Sequence, residues 1–89
     1  MGDSYTHIAT NTTTNIGLGT NRICLKAIIV NTTAAGTITV KDGAGTVAIL
    51  KSSIVEGTYL FGTNGITIGG GLTVVTAAAS DITVVWNNL

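Results

Sequence analysis

Short runs of alternating apolar and polar residues are the feature that most constrains how this chain folds. The runs are rich in β-branched residues and are separated by Gly, Asn and Asp at intervals of roughly eight to twelve residues. Helical periodicity is absent, and because the chain has no proline, glycine and asparagine set the turns. The pattern predicts an all-β fold of about eight short antiparallel strands in a jelly-roll-like sandwich of two sheets.

One run is apolar on both of its faces. The predicted strands are 5–10, 22–31, 37–41, 46–51, 58–61, 66–68, 72–76 and 81–86. In 22–31, one face consists of Ile23, Leu25, Ala27 and Ile29, and the other of Cys24, Lys26, Ile28 and Val30. We therefore expect 22–31 to be a central strand that is covered on both sides. Residues 11–19 are predicted to form a loop or an irregular edge, and Asp42-Gly43 predicts a tight hairpin turn.

The length of 89 residues allows one domain with one core. We expect a single β-sandwich domain over 1–89, with an N-terminal arm or first strand over 1–19 and the sandwich core over 22–86. A monomer of this size buries about two-thirds or less of its unfolded surface, so its stability margin is narrow. The single cysteine, Cys24, excludes an internal disulfide, and the single histidine, His7, leaves no Cys/His pair with metal-ligand spacing. Oligomerisation is the remaining source of extra stability.

Charged residues are unusually scarce. They make up 9% of the chain, against roughly 25% in an ordinary soluble domain, and their formal net charge is zero. A neutral surface with so few charges tends to associate, so we expect this chain to bind copies of itself. The alternative is that Thr, Asn and Ser solvate the surface of a free monomer adequately.

The composition also argues against several partners. No basic patch is present to neutralise phosphates, so nucleic-acid binding is not expected. The longest apolar stretch, 27–30, is far too short to cross a bilayer, so no membrane partner is expected. The N-terminus lacks a basic region followed by an apolar one, which predicts a protein made in the cytoplasm of the producing cell without a signal peptide.

The patterns that would indicate catalysis or a cofactor are incomplete. Gly17-x-Gly19 and Gly69-Gly70-Gly71 are not followed by Lys-Ser/Thr and do not open a helix, so turns are favoured over a phosphate loop. The four acidic residues lie in different turns or tails, and His7 lies on a threonine-flanked strand where a surface or interface role is favoured over a catalytic base. We expect no enzyme activity, no cofactor and no metal.

Residues for an interface come mainly from the two ends of the chain. Tyr5 and His7 share a face of the first predicted strand, which would suit an arm that reaches onto a neighbouring subunit. Trp86 is either a core-edge residue or an interface anchor, and the core is favoured. Tyr59 and Phe61 are expected to pack against the opposite sheet. The candidate interface residues are Tyr5, His7, Ile8, Ile16, Leu18 and Trp86.

About three-quarters of the chain resembles small β-sandwich virion proteins of tailed bacteriophages, including the cement, or decoration, proteins of icosahedral capsids. The resemblance rests on turns and strand faces in 36–43, 57–61, 71–76 and 81–86. It implies a capsid cement protein that binds the major capsid protein on the outside of a phage head as a homotrimer. It would then be located on the capsid surface of the virion. Residues 1–18 are expected to pack against the shell, so that their deletion would leave a folded trimer that no longer binds capsids.

Two other functions stay open at this point. The chain could be a fibre, spike or tail-tip module that binds a host glycan, although only four aromatic residues are present to form a sugar platform. It could also be a non-viral structural module that assembles with itself. A glycan array and electron microscopy of the isolated protein would separate these functions from a capsid cement protein.

Overall fold

The computed structural model describes residues 4–16 and 22–88, and within these ranges the chain forms nine β-strands and no helix. The strands are β1 (Ser4–Ile8), β2 (Thr12–Ile16), β3 (Ile23–Thr32), β4 (Ile38–Asp42), β5 (Gly45–Leu50), β6 (Gly57–Leu60), β7 (Ile66–Ile68), β8 (Leu72–Thr76) and β9 (Asp81–Asn88). Every predicted strand is present within one to two residues of its expected position, and β2 is additional.

The strands form two antiparallel sheets. The five-stranded sheet has the order β1-β9-β3-β6, with β7 also paired to β3, and the four-stranded sheet has the order β2-β8-β4-β5. The pairs β1–β9, β2–β8, β3–β6/β7 and β4–β5 are those of one long hairpin whose tip is the β4–β5 turn. Folding that hairpin over itself adds the pairs β3–β9 and β4–β8, which complete the sheets. This connectivity is a jelly roll, so the predicted fold class is confirmed.

The core between the sheets is aliphatic. Its fully buried large side chains are Ile16, Ile23, Leu25, Ile28, Val30, Ile38, Val40, Ile68, Leu72, Val74, Ile82 and Val84. Tyr59, Phe61 and Trp86 are partly buried and pack against this cluster at its margin. The expectation that Tyr59 and Phe61 pack into the sandwich is therefore confirmed. Because alternation in strands directs every second residue inward, short strands suffice to fill the core.

A β-bulge at Lys26 divides β3 into two parts. The register of β3 against β9 shifts between Leu25 and Ala27, so one extra residue lies in β3. That residue reverses the alternation, and the prediction that Ala27 and Ile29 share a face with Ile23 and Leu25 is wrong. The core-facing residues of β3 are Ile23, Leu25, Ile28 and Val30.

The strand on the other side of β3 is interrupted at the same position. β6 pairs with 27–30 and β7 pairs with 23–25, so together they occupy one strand position of the sheet. Between them the Phe61 amide donates to the Lys26 carbonyl oxygen at 3.0 Å. The bulge and the interruption therefore bend the five-stranded sheet at one line.

The N-terminal residues are part of both sheets, which corrects the predicted loop at 11–16. β1 pairs with β9, β2 pairs with β8, and Ile8 and Ile16 at the strand ends are buried in the core. The buried Thr76 hydroxyl accepts from the Thr12 amide at 3.1 Å and lies 2.5 Å from the Thr10 carbonyl oxygen. A run of Thr and Asn has no apolar alternation of its own, so β2 depends on these tertiary contacts. Residues 17–19 of the predicted loop lie outside the described ranges.

Candidate assembly surface

Four apolar side chains form a row across the outer face of the five-stranded sheet. Antiparallel pairing places Tyr5 of β1 opposite Val85 of β9, and Val85 opposite Ala27 of β3. Ala27 in turn lies opposite Leu60 of β6. Tyr5 and Leu60 stand on the two edges of the sheet, and their side chains are 75% and 76% exposed. These four residues are called the apolar row below.

The alternation of the strands explains why the row points away from the core. Ile28, which follows Ala27, and Val84, which precedes Val85, are both fully buried between the sheets. Because successive residues of a strand point to opposite faces, Ala27 and Val85 face outward. Ala27 is only 5% exposed and Val85 is half-buried, so the row presents apolar surface mainly through Tyr5 and Leu60 at its two ends. Large exposed apolar side chains grouped on one face indicate a contact surface.

The neighbouring row on the same face contains both polar and apolar side chains. It consists of His7, Thr83, Ile29 and Thr58, which the pairing places side by side. Ile29 is half-buried, so β3 presents apolar side chains on this face as well as toward the core. The described residues form two sheets and supply no third layer over this face. The outward-facing Cys24 and Ala27 are nevertheless only 9% and 5% exposed, so most of β3 is buried on both faces, as expected.

A hydrogen-bonded polar cluster borders the row where β9 begins. His7 Nε2 lies 2.6 Å from Asp81 Oδ1, and the Asn31 side-chain amide donates to Asp81 Oδ1 and to Thr83 Oγ1, both at 3.2 Å. The hydrogen bonds from His7 and Asn31 lower the pKa of Asp81 below its ordinary value of 3.8. These side chains are partly or largely exposed, so the cluster supplies a polar rim to the face.

The β6–β7 connection borders the opposite end of the face. Cys24 is only 9% exposed, and its thiol donates to the Asn64 carbonyl oxygen at 3.3 Å. A Cβ atom at Gly65 would lie 2.6 Å from Cys24 Sγ, so the turn packs directly on the cysteine. This contact explains how an outward-facing thiol is buried.

The outer face of the four-stranded sheet has a different composition. Its corresponding row consists of Thr13, Val75, Thr39 and Ile49, and the next one of Asn15, Thr73, Lys41 and Thr46. Large exposed apolar side chains occur on this sheet only in β5, where Ile49 is 61% and Val47 is 40% exposed. Threonine separates the apolar residues everywhere else on this face.

The predicted interface residues occupy different environments. Tyr5 and His7 lie on the outer face of the five-stranded sheet, as their shared strand face suggested. Trp86 packs against the core, and its indole N–H donates to Thr6 Oγ1 at 3.1 Å. Ile8 and Ile16 are buried in the core, so their side chains offer no contact surface, which corrects their assignment. Leu18 lies outside the described residues.

The structure also changes the expected effect of deleting residues 1–18. Removal of 1–18 would take away β1 and β2, which form one edge of each sheet, together with the core side chains of Ile8 and Ile16. Loss of a fully buried isoleucine alone costs about 2–5 kcal/mol when it is cut back to alanine. The truncated chain is therefore expected to unfold rather than to remain a trimer that has lost capsid binding.

Sequence reasoning missed most of the apolar row. Alternation within 81–86 puts Ile82, Val84 and Trp86 on one strand face and therefore Val85 on the other. Leu60 next to an inward-facing Tyr59 carried the same signal. The alternation did not indicate that Val85 and Leu60 share a line, because that depends on which strands pair.

The triglycine turn at 69–71 donates backbone hydrogen bonds to the carboxylate of Asp42. The Asp42 carboxylate accepts from the Gly70 amide at 2.6 Å and from the Gly69 amide at 3.4 Å. The Gly43 amide donates to the Gly71 carbonyl oxygen at 2.9 Å, and Gly43 has the positive φ of 60° that the hairpin turn needs. These amide donors therefore join the β4–β5 turn to the β7–β8 turn.

The described residues offer no other kind of site. They contain no group of three or more His, Cys, Asp or Glu side chains placed to hold a metal ion, and they enclose no pocket. None of them belongs to a helix with the length and apolarity needed to cross a membrane. Comparison with protein-family models, with curated proteins and with solved structures found no match for this chain.

Proposed function

We propose that this chain is a structural protein that works by assembly, and specifically a capsid cement protein. It would bind the major capsid protein on the outside of an icosahedral phage head as a homotrimer, and it would be located on the virion surface. The apolar row is the observation on which the proposal rests. The resemblance of 22–86 to β-sandwich proteins of phage virions is the reason for proposing a phage capsid as the partner.

The energetics of the row favour a covered state. Burying a side chain such as Leu60 is worth about 1.5–3 kcal/mol relative to leaving it in water. Aromatic residues such as Tyr5 are typical anchors of protein interfaces because they bury much area at little conformational cost. The row contains no charge, so covering it does not require the desolvation of an unpaired ion.

Binding only to the assembled shell would stabilise that shell by mass action. Free protein at about 100 times its Kd stabilises the bound state by about 2.7 kcal/mol for each occupied site. A homotrimer at a three-fold junction of the capsid would engage several shell subunits at once, so its separate contacts would reinforce each other.

The test uses phage heads assembled without this protein. Purified protein is added, bound protein is measured by co-sedimentation, and the temperature at which the heads release their DNA is recorded. We expect saturable binding and a higher release temperature. Thr13→Lys is the control variant. It places a charge on the exposed outer face of the four-stranded sheet, away from the apolar row, and should bind the heads as wild type does. Absence of binding by a folded wild-type protein contradicts the proposal.

A further inference from the structure

Besides Val55 in the β5–β6 connection, which is 72% exposed, the described residues expose large apolar side chains at two places on the sheets. One is the apolar row on the outer face of the five-stranded sheet. The other is an edge strand of the four-stranded sheet, where Val47 and Ile49 point outward from β5. Val47 lies at a register shift between β4 and β5, and Ile49 lies opposite Thr39. Val47 and Ile49 are called the β5 patch below.

Apart from a β-bulge, the β5 edge has none of the common features that protect an edge strand from pairing with another chain. Such edges are normally blocked by lysine, by proline or by very short strands. β5 is six residues long, contains no charged residue and no proline, and is the longest edge strand among the described residues. Its bulge is the one feature that restrains pairing of its backbone, which favours contact through side chains.

Identical subunits can associate through a two-fold contact or through a head-to-tail contact, and these differ in how much of the row and the β5 patch they cover. A two-fold contact of row against row would cover the row and leave the β5 patch of both copies in water. A head-to-tail contact of row against patch covers both surfaces on every subunit once the ring closes. We infer that the apolar row of one copy binds the β5 patch of the next copy, which gives a closed ring.

The shapes and chemistry of the two surfaces agree with this pairing. The middle of the row consists of the small residues Ala27 and Val85, between the larger Tyr5 and Leu60 at its ends. Ile49, which projects from an edge strand, would lie against these small residues between Tyr5 and Leu60. Neither surface contains a charged residue, so no ion is buried and copies of this neutral chain do not repel each other.

The face is large enough for a stable contact. Four strand positions spaced about 4.8 Å apart, with β3 the longest at about 33 Å, outline a face of at most roughly 600 Å² in projection. A standard interface buries about 800 Å² of accessible surface on each partner, and accessible surface exceeds projected area. This inference rests on the proposed homotrimer and adds which surfaces meet, and it leaves other surfaces of the ring for the capsid.

The first test separates the two geometries with single charges. Leu60→Lys blocks the row and Ile49→Lys blocks the β5 patch, while Thr13→Lys is the matched control on an exposed edge. Sedimentation velocity should show a discrete oligomer for wild type and Thr13→Lys. Each blocking variant should weaken association at least tenfold, with circular dichroism confirming that it is folded. An oligomer that survives Ile49→Lys, or a monomeric wild type, overturns the inference.

The second test detects the contact directly. Leu60→Cys and Ile49→Cys are made separately in a Cys24→Ala background, mixed and oxidised, and the disulfides are mapped by mass spectrometry. Head-to-tail packing predicts cross-links between position 60 of one variant and position 49 of the other. Cross-links only between two copies of one variant, or none at all, contradict the inference. A ring that forms but does not bind phage heads would refute the cement function and leave this inference standing.

Discussion

The outer faces of the two sheets follow the same alternation but present different chemistry to solvent. On the four-stranded sheet, threonine separates Ile49 from Val75 and follows Val75 at the far edge. On the five-stranded sheet, the equivalent line runs from Tyr5 to Leu60 without a polar side chain. Threonine keeps the β-branched shape that strands favour and adds a hydroxyl for water. The two outer faces therefore differ in the middle of the line, where one has threonine beside Val75 and the other has only Ala27 and Val85.

The inner and outer faces of β3 offer the sharpest test, because neighbouring isoleucines occupy them. Ile28→Ala should destabilise the protein by about 2–5 kcal/mol, since Ile28 is fully buried between the sheets. The adjacent change Ile29→Ala should cost clearly less in folding and should act mainly on association. Urea unfolding of both variants under dilute conditions measures the difference. A larger loss for Ile29→Ala would mean that the bulge at Lys26 does not reverse the alternation.

The covered end of the outer face depends on Gly65. This residue has a φ of +88°, and a Cβ atom there would lie 2.6 Å from Cys24 Sγ and 2.8 Å from the Leu25 carbonyl oxygen. Gly65→Ala should therefore cost about 1–3 kcal/mol in stability through backbone strain and the clash. Gly69→Ala is the control, because nothing lies within 4 Å of its Cβ position. Equal thermal stability of the two variants would contradict the packing of this turn on the cysteine.

A single substitution can make the outer face of the four-stranded sheet resemble that of the five-stranded sheet. Thr39→Leu would join Ile49 to Val75 in one apolar line across the four-stranded sheet. Stability should change by no more than about 0.5 kcal/mol, because Thr39 points outward. Self-association should increase and be visible as larger species in sedimentation velocity. An unchanged oligomer distribution would show that an apolar line by itself does not cause assembly.

The polar rim should give the smallest effect, and it depends on pH. The lowered pKa of Asp81 means that its ionised form is stabilised by folding, so this contribution is present above pH 3.8 and is lost as the pH falls through the lowered value. His7→Ala removes the largest cause and should raise the pKa of Asp81 toward 3.8. Thr83→Val, which changes a partner of Asn31 and leaves Asp81 bonded to His7, should shift it less. Carboxyl chemical shifts followed by NMR titration test this order.

Most of the fold could be predicted because its signals are local. The runs at 66–68 and 72–76 were located to the residue, since alternation and flanking glycines act within a few positions of the chain. β2 was missed because its Thr- and Asn-rich sequence has no alternation and depends on the buried Thr76, more than 60 positions away along the chain. The bulge at Lys26 was missed for a similar reason, since a strand by itself does not show where its partner skips a residue.

The amino-acid sequence by itself determined where eight of the nine described strands lie, to within two residues, and that the surface has almost no charge. These properties follow from backbone sterics and side-chain polarity, which act within a few residues. Only the tertiary structure decided that Tyr5, Val85, Ala27 and Leu60 lie in one line, and that Ile8 and Ile16 belong to the core. Strand pairing joins residues up to 82 positions apart in register, from Ser4 to Trp86, and that register depends on all the strands packing together.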